Sequence, residues 1–191
     1  MFSLFSTVFR SKNGVISNEK PVKEKIETAC RIIKGLQNDI EKFTCEGSGP
    51  FVAAIYDFDG NLVAKCANSV VLDSCSNHHA ELNVIRKVQD KFKTYDLSKH
   101  KFKIYITAEP CMMCIGGILA SGIKEVYFGV PSEKVEKITK FDEGFKPNWF
   151  SELKKRGITV YGNIESKSGE EKLRKYVEEG RIIYKPARCV K

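Results

Sequence analysis

His79-Ala80-Glu81, followed about thirty residues later by Pro110-Cys111-Met112-Met113-Cys114, supplies an imidazole, two thiols and a carboxylate that a metal does not need as a ligand. Tetrahedral zinc held by four protein groups is closed, whereas three nitrogen and sulfur ligands leave the fourth position to water. Water there has its pKa brought from about 15.7 to near 7. The inventory of His79, Cys111 and Cys114 is that of one zinc ion per chain that activates water, and Glu81 then has a proton to move.

Residues two apart on the body of a helix point to different sides, so His79 and Glu81 reach one centre only if it lies just beyond the helix N-terminus. A helix beginning near His79 and running through Leu82, Ile85 and Val88 meets that requirement. Cys111 and Cys114, three apart, share one side of the first turn of the next helix, and Pro110 stops the strand before it. Two helix N-termini would converge on one ion. Their unpaired N–H groups and positive dipole ends favour thiolates, hydroxide and a developing oxyanion. Such a centre suits hydrolysis at an sp² carbon bearing an exocyclic amine. The activated water attacks, and Glu81 collects its proton, passes it to a ring nitrogen and helps the amine leave as ammonia.

Two blander readings use the same residues. A lone C-x-x-C at the start of a helix after a strand is also the setting of a thiol–disulfide centre, which leaves His79-Ala80-Glu81 unexplained. A closed structural zinc site would recruit His78 as fourth ligand and leave Glu81 a bystander. His100, in a Lys- and Tyr-rich turn before a strand, reads as a surface residue.

The elements that must position these groups are legible as apolar periods. Over residues 20–43, Val22, Ile26, Ala29, Ile33, Leu36 and Ile40 recur at three and four, with Pro21 placed for a first turn, predicting an amphipathic helix that needs a sheet. Residues 51–56 and 62–67 read as strands joined by Asp57-Phe58-Asp59-Gly60-Asn61, a hairpin-type turn. A loop over 69–77 leads to the His79 helix. Residues 102–107 read as a buried strand, Gly122 ends the helix that Cys111 begins, and 125–130 follows as a strand. A helix over 148–155, a strand over 158–161 and a charged helix over 169–179 complete an alternation that predicts a sheet covered by helices.

At 191 residues and 42% hydrophobic content the chain supports one core. One domain over 20–191 is expected, with a disordered or loosely docked extension over 1–19. Net charge is +8, but the basic residues are dispersed and read as solvated helix faces. Seven irregularly spaced cysteines do not form a disulfide framework and suit a reducing, cytoplasmic setting. No apolar run reaches the eighteen or so residues that span a bilayer, so no membrane partner is expected. Residues 1–18, acid-free and Ser-rich, have a faint transit-peptide composition with too few basic residues for one.

His79-Ala80-Glu81 and Thr107-Ala108-Glu109-Pro110-Cys111-Met112-Met113-Cys114 resemble the two signature blocks of the cytidine deaminase-like zinc deaminases. The resemblance covers residues 51–130. It implies a three-layer α/β/α sandwich, class α/β, around a mostly parallel five-stranded sheet, with His79, Cys111 and Cys114 as zinc ligands and Glu81 as proton shuttle. It places substrate contacts at Asn68, at the end of the second strand, and at Ala80. Residues 140–145 resemble the acidic loop of guanine-type deaminases, implying a second proton carrier at Asp142, and Tyr184 falls where those enzymes close the pocket, often from the partner of a homodimer.

The implied activity is deamination of a small-molecule nucleobase or nucleoside, a guanine-type purine first. A tRNA adenosine or a cytosine or cytidine substrate stands as the alternative, and a catalytically silent RNA-binding module on the same scaffold is more distant. The chain departs from the family before the histidine block, where Ser74-Cys75-Ser76-Asn77-His78 replaces the usual Asp-Pro-Thr type of turn.

Overall fold

The structure is a computed structural model and describes residues 8–11, 14–142, 144, 146 and 148–184. The strands are β1 (Phe9–Arg10), β2 (Ile16–Ser17), β3 (Val52–Tyr56), β4 (Leu62–Ala67), β5 (Lys103–Ala108), β6 (Glu125–Val130) and β7 (Thr159–Gly162). The helices are α1 (Lys23–Cys45), α2 (Ala80–Phe92), α3 (Met112–Ser121), α4 (Ser132–Thr139), α5 (Trp149–Lys155) and α6 (Ser166–Glu178).

Side chains alternate across a strand, and β3 is apolar on both faces. Its Val52 and Ala54 join Ala29, Ile33, Leu36 and Ile40 of α1 in one core, while Ala53 and Ile55 join Ala80, Val84, Val88 and Ile118 in the other. A sheet buried on both sides is a middle layer, with α1 and α6 over one face and α2, α3 and α5 over the other. The expected three-layer α/β/α class holds.

The sheet itself corrects the expectation of five mostly parallel strands. It has seven, in the order β1-β2-β7-β6-β5-β3-β4. It is mixed: β5, β6 and β7 pair in parallel, whereas β3 runs antiparallel to both β4 and β5, and β1 and β2 add antiparallel pairs beyond β7. The hairpin between β3 and β4 has a local cause. The Asp57 carboxylate accepts from the Asn61 backbone and side-chain N–H groups at 2.8 and 3.1 Å, and Gly60 takes φ 87°.

The two added strands come from the stretch expected to be a loosely docked extension. Asn18 fastens it: its Nδ2 donates to the Ile158 and Phe150 carbonyls at 3.0 and 3.1 Å, and its Oδ1 accepts from Val160 N at 2.9 Å. Two short strands with one apolar residue on each side carry no readable alternation, so tertiary pairing alone reveals them.

Parallel pairing in register stacks Tyr105, Tyr127 and Tyr161 under α1 with ring centroids 4.6 and 5.0 Å apart. The helix α4, not expected from the sequence, packs on α6 and closes a small core of Ala108, Val130, Val135, Ile138 and Leu173 at the carboxyl ends of β5 and β6. In open α/β sheets that end is where ligands bind.

Candidate metal centre and active site

β4 leads into α2 and β5 into α3, and both helices begin at the same end of the sheet. His79 and Cys111 are their N-cap residues, each extended at ψ 153° and 172° before the helix sets in. Neither helix start has a side-chain cap. Leu82 reaches across to Gly117, where a Cβ would stand 2.3 Å from Leu82 Cδ2, so glycine lets the two helices close up. Gly122, at φ 84°, ends α3 as its sequence position predicts.

His79 Nδ1, Cys111 Sγ and Cys114 Sγ form a triangle with all three sides 3.6 Å. Zinc at about 2.3 Å from sulfur and about 2.0–2.1 Å from nitrogen spaces tetrahedral ligands by roughly 3.5–3.8 Å, so these atoms fit three corners without rearrangement. Among the described residues no fourth His, Cys, Asp or Glu joins them. His78, the fourth ligand of the closed-site reading, is turned away: its Nδ1 meets Asp73 Oδ2 at 2.7 Å and its Nε2 meets Arg86 Nη1 at 3.1 Å. The six cysteines in the described residues are free, Cys111 and Cys114 included.

Electrostatics around the triangle follow from burial and mutual contact. The hydrogen bond shared by the two sulfurs pulls Cys111 down to about 4 and holds Cys114, itself buried, well above the ordinary thiol range. A thiolate at Cys111 is the form that binds metal. Glu81 is 6% exposed. Burial pushes its carboxyl up to about 7, with the charge of Cys111 adding to the rise and that of His79 opposing it.

His79, Cys111 and Glu81 border a cleft of about 690 Å³, solvent at its mouth included, which Phe51, Asn68, Ile106, Glu109, Phe141 and Tyr184 also line, with Cys114 just behind it. Asn68 stands at the end of β4, its backbone paired to Phe51 and Gly49 at 2.9 Å each. A Cβ at Gly49 would sit 2.9 Å from Asn68 Oδ1, so glycine there leaves the Asn68 amide where it stands. Tyr184 reaches the rim from this same chain, 6.3 Å between ring centroids from Phe141. The segment that carries it is tied down by Arg181, which donates to the Thr44 carbonyl at the end of α1 at 2.6 Å, and by Tyr176, whose hydroxyl donates to the Ile182 carbonyl at 2.7 Å.

Two expected site residues do not join this set. Ala80 is fully buried, backbone included, in the core with Val84 and Val88, and it is not on the cleft wall. Asp142 is exposed and accepts from Gly144 N at 2.7 Å, and it is not on the cleft wall.

Glu109, Phe141 and the run Ile182, Ile183 and Tyr184 do line the cleft. Sequence reasoning quoted Glu109 within a motif without giving it work. Its carboxylate accepts from Ser132 N at 3.0 Å and from the Trp149 indole at 3.1 Å, and lies 3.6 Å from Lys146. A carboxylate between a strand end and Pro110 is the signal that was available.

The profile of the cytidine and deoxycytidylate deaminase zinc-binding region matches residues 24–130. A tRNA-specific adenosine deaminase of Buchnera aphidicola is 34% identical over 86 residues, 45% of this chain and 56% of that protein. A guanine deaminase of Bacillus subtilis is 32% identical over 106 residues, 53% of this chain and 65% of that protein. The alignments thus span a little over half the length of these curated relatives. The solved structure of a guanine deaminase from Nitrosomonas europaea superposes with a TM-score of 0.74 at 29% identity, over 83% of this chain and 94% of that one. The matched region is a zinc-binding one and the donor triangle is of the kind zinc takes, so zinc is the cofactor. Among the described residues no helix is long and apolar enough to cross a membrane.

Proposed function

Because the chain belongs to the family defined by the cytidine and deoxycytidylate deaminase zinc-binding region, we propose that it hydrolyses the exocyclic amino group from a nucleobase or nucleoside, with a guanine-type purine as the preferred substrate. One observation carries the reading: three metal donors 3.6 Å apart, two of them on the wall of a mostly apolar cleft that a buried carboxylate also lines.

In this reading His79, Cys111 and Cys114 hold the ion. Zinc with an open fourth position lowers the pKa of bound water toward neutrality and so supplies a nucleophile. Glu81 would take one proton from the attacking water and give it to the ring nitrogen next to the attacked carbon; it would then take the remaining hydroxyl proton of the tetrahedral adduct and give it to the amine, which leaves as ammonia while the carbonyl forms. A carboxyl raised toward neutral pH by burial is matched to accepting and returning a proton. Asn68 presents its amide to the base edge from the β4 side. Phe141 and Tyr184 cover the ring faces, where aromatic contact favours a planar heterocycle. Asp142 carries no step here, since its carboxylate is turned to the Gly144 amide.

A free base or nucleoside is favoured over a base within RNA, because residues 182–184 of this chain line the cleft and narrow the approach of a polynucleotide. The substrate preference rests on the Nitrosomonas europaea guanine deaminase, which this chain matches over most of both lengths. Ammonia release from guanine, guanosine, adenine, cytosine and cytidine, with a tRNA arm, is the test. Guanine or guanosine turning over fastest is the expected result; turnover of a pyrimidine or of tRNA alone overturns the purine preference. A homodimer belongs to the same proposal: Met112, Met113 and Leu119 leave an apolar face of α3 exposed. Sedimentation at twice the chain mass is expected, and a monomer at all concentrations contradicts it.

A further inference from the structure

The loop over residues 69–78 separates Asn68 from His79, and five side chains around it form a closed circuit of hydrogen bonds. Asn83 Nδ2 donates to Ser69 Oγ at 2.9 Å, and the Ser69 hydroxyl donates to Asp73 Oδ2 at 2.6 Å. Asp73 Oδ2 also meets His78 Nδ1 at 2.7 Å, His78 Nε2 meets Arg86 Nη1 at 3.1 Å, and Arg86 Nη2 returns to Asn83 Oδ1 at 3.4 Å.

The directions are forced by chemistry. Arginine only donates, so His78 Nε2 accepts and Nδ1 carries the hydrogen that goes to Asp73. The Ser69 hydroxyl gives its one hydrogen to Asp73 and keeps a lone pair for Asn83. Every link has one donor and one acceptor.

Asn83 does more than close the circuit. It sits one turn after His79 on α2 and is 8% exposed. The same Nδ2 lies 3.1 Å from the Ala67 carbonyl, the residue before Asn68, and 3.2 Å from the His78 carbonyl, the residue before His79. Two N–H groups therefore serve three acceptors, one at each end of the loop and one just inside it. The backbone adds a bond from Ser69 N to the His78 carbonyl at 3.0 Å, which holds the two ends side by side.

We propose that Asn83 is a positioning residue that fixes the Asn68 amide relative to the His79 imidazole, so that a base held by Asn68 is registered on the metal. The inference rests on the proposal that Asn68 meets the base. It also assigns work to the Ser74-Cys75-Ser76-Asn77-His78 sequence, where the chain departs from the family: this loop is held through His78 and Asp73 to α2.

The test is the zinc-loaded full chain carrying Asn83→Asp, which keeps the size and the acceptor for Arg86 and removes both donors. Ser69→Ala is the second variant; from a half-exposed position it takes out the two links that pass through the Ser69 hydroxyl, to Asn83 and to Asp73, and leaves the fold and the Asn83 bonds to the Ala67 and His78 carbonyls intact. Amide hydrogen exchange over residues 69–78 should accelerate in both variants relative to the α1 amides. KM for the preferred base should rise about tenfold for Asn83→Asp and a few-fold for Ser69→Ala, the scale of losing buried hydrogen bonds. Zinc content and kcat should stay near those of the parent protein.

Unchanged loop exchange in both variants overturns the proposal. Faster exchange with an unmoved KM also overturns it, because the network is then structural only. Failure of the functional reading looks different: the parent protein turns over none of the bases, and the exchange arm still decides whether Asn83 holds the loop.

Discussion

The floor of the cleft, where His79, Cys111 and Cys114 lie 3.6 Å apart, is made by the N-termini of α2 and α3, whereas its roof is made by Phe141 and residues 182–184, which have no regular structure. On the floor, backbone geometry places the side chains: two N-cap residues in extended conformation and a cysteine in the first turn need only their helices to be packed. On the roof, individual side chains do the placing, chiefly Arg181 on the Thr44 carbonyl and Tyr176 on the Ile182 carbonyl. The contrast teaches a division of labour. In the proposed reading, the bond-breaking groups sit where the fold leaves no freedom, and the aromatic groups that would cover the base sit where a few hydrogen bonds can be exchanged without disturbing the core.

The sharpest way to break this division is Glu81→Gln. It should lower kcat by about 10²–10⁴-fold, the range for a lost general acid–base group, and leave zinc at one equivalent by metal analysis. A variant with near-normal turnover would remove Glu81 from the chemistry and with it the distinction between floor and roof.

On the roof, Tyr184→Ala should raise KM for the preferred base roughly tenfold through lost ring contact, with kcat within about threefold, in steady-state assays. If kcat falls by as much as in Glu81→Gln, the roof takes part in the chemistry and the comparison fails. Asp142→Asn should change kcat/KM by no more than about twofold, the smallest effect of the series, because the carboxylate is exposed and engaged with the Gly144 amide. A loss beyond tenfold would show that this acid reaches the base during turnover.

The same division explains what the sequence disclosed. The floor was legible because its residues are close neighbours in two short motifs, and a spacing of two or three residues at a helix start has one geometric outcome. The core of the fold was legible for a related reason: the α1 stripe of Ala29, Ile33, Leu36 and Ile40 and the fully apolar β3 announce their faces directly.

Glu109, Phe141 and the Asn83 circuit were not legible, since their meaning lies in partners that the fold brings together, as in the Trp149 indole on Glu109 and the Tyr184 ring beside Phe141. The N-terminal strands escaped notice because pairing with β7, not local pattern, creates them. The helix α4 was missed at eight residues, where an apolar period barely completes two turns. The Asp57–Asn61 turn, which was read correctly, makes β3 and β4 antiparallel; that β3 also runs antiparallel to β5 comes from a long-range pairing that no local turn announces.

Zinc K-edge X-ray absorption on the purified chain, with and without the preferred base, tests the central claim most directly. The account predicts one zinc with two sulfur neighbours at about 2.3 Å and two nitrogen or oxygen neighbours at about 2.0–2.1 Å, of which one changes when the base is added. A shell closed by a second imidazole or a third sulfur, unaltered by the base, or a protein that purifies without zinc, would contradict it.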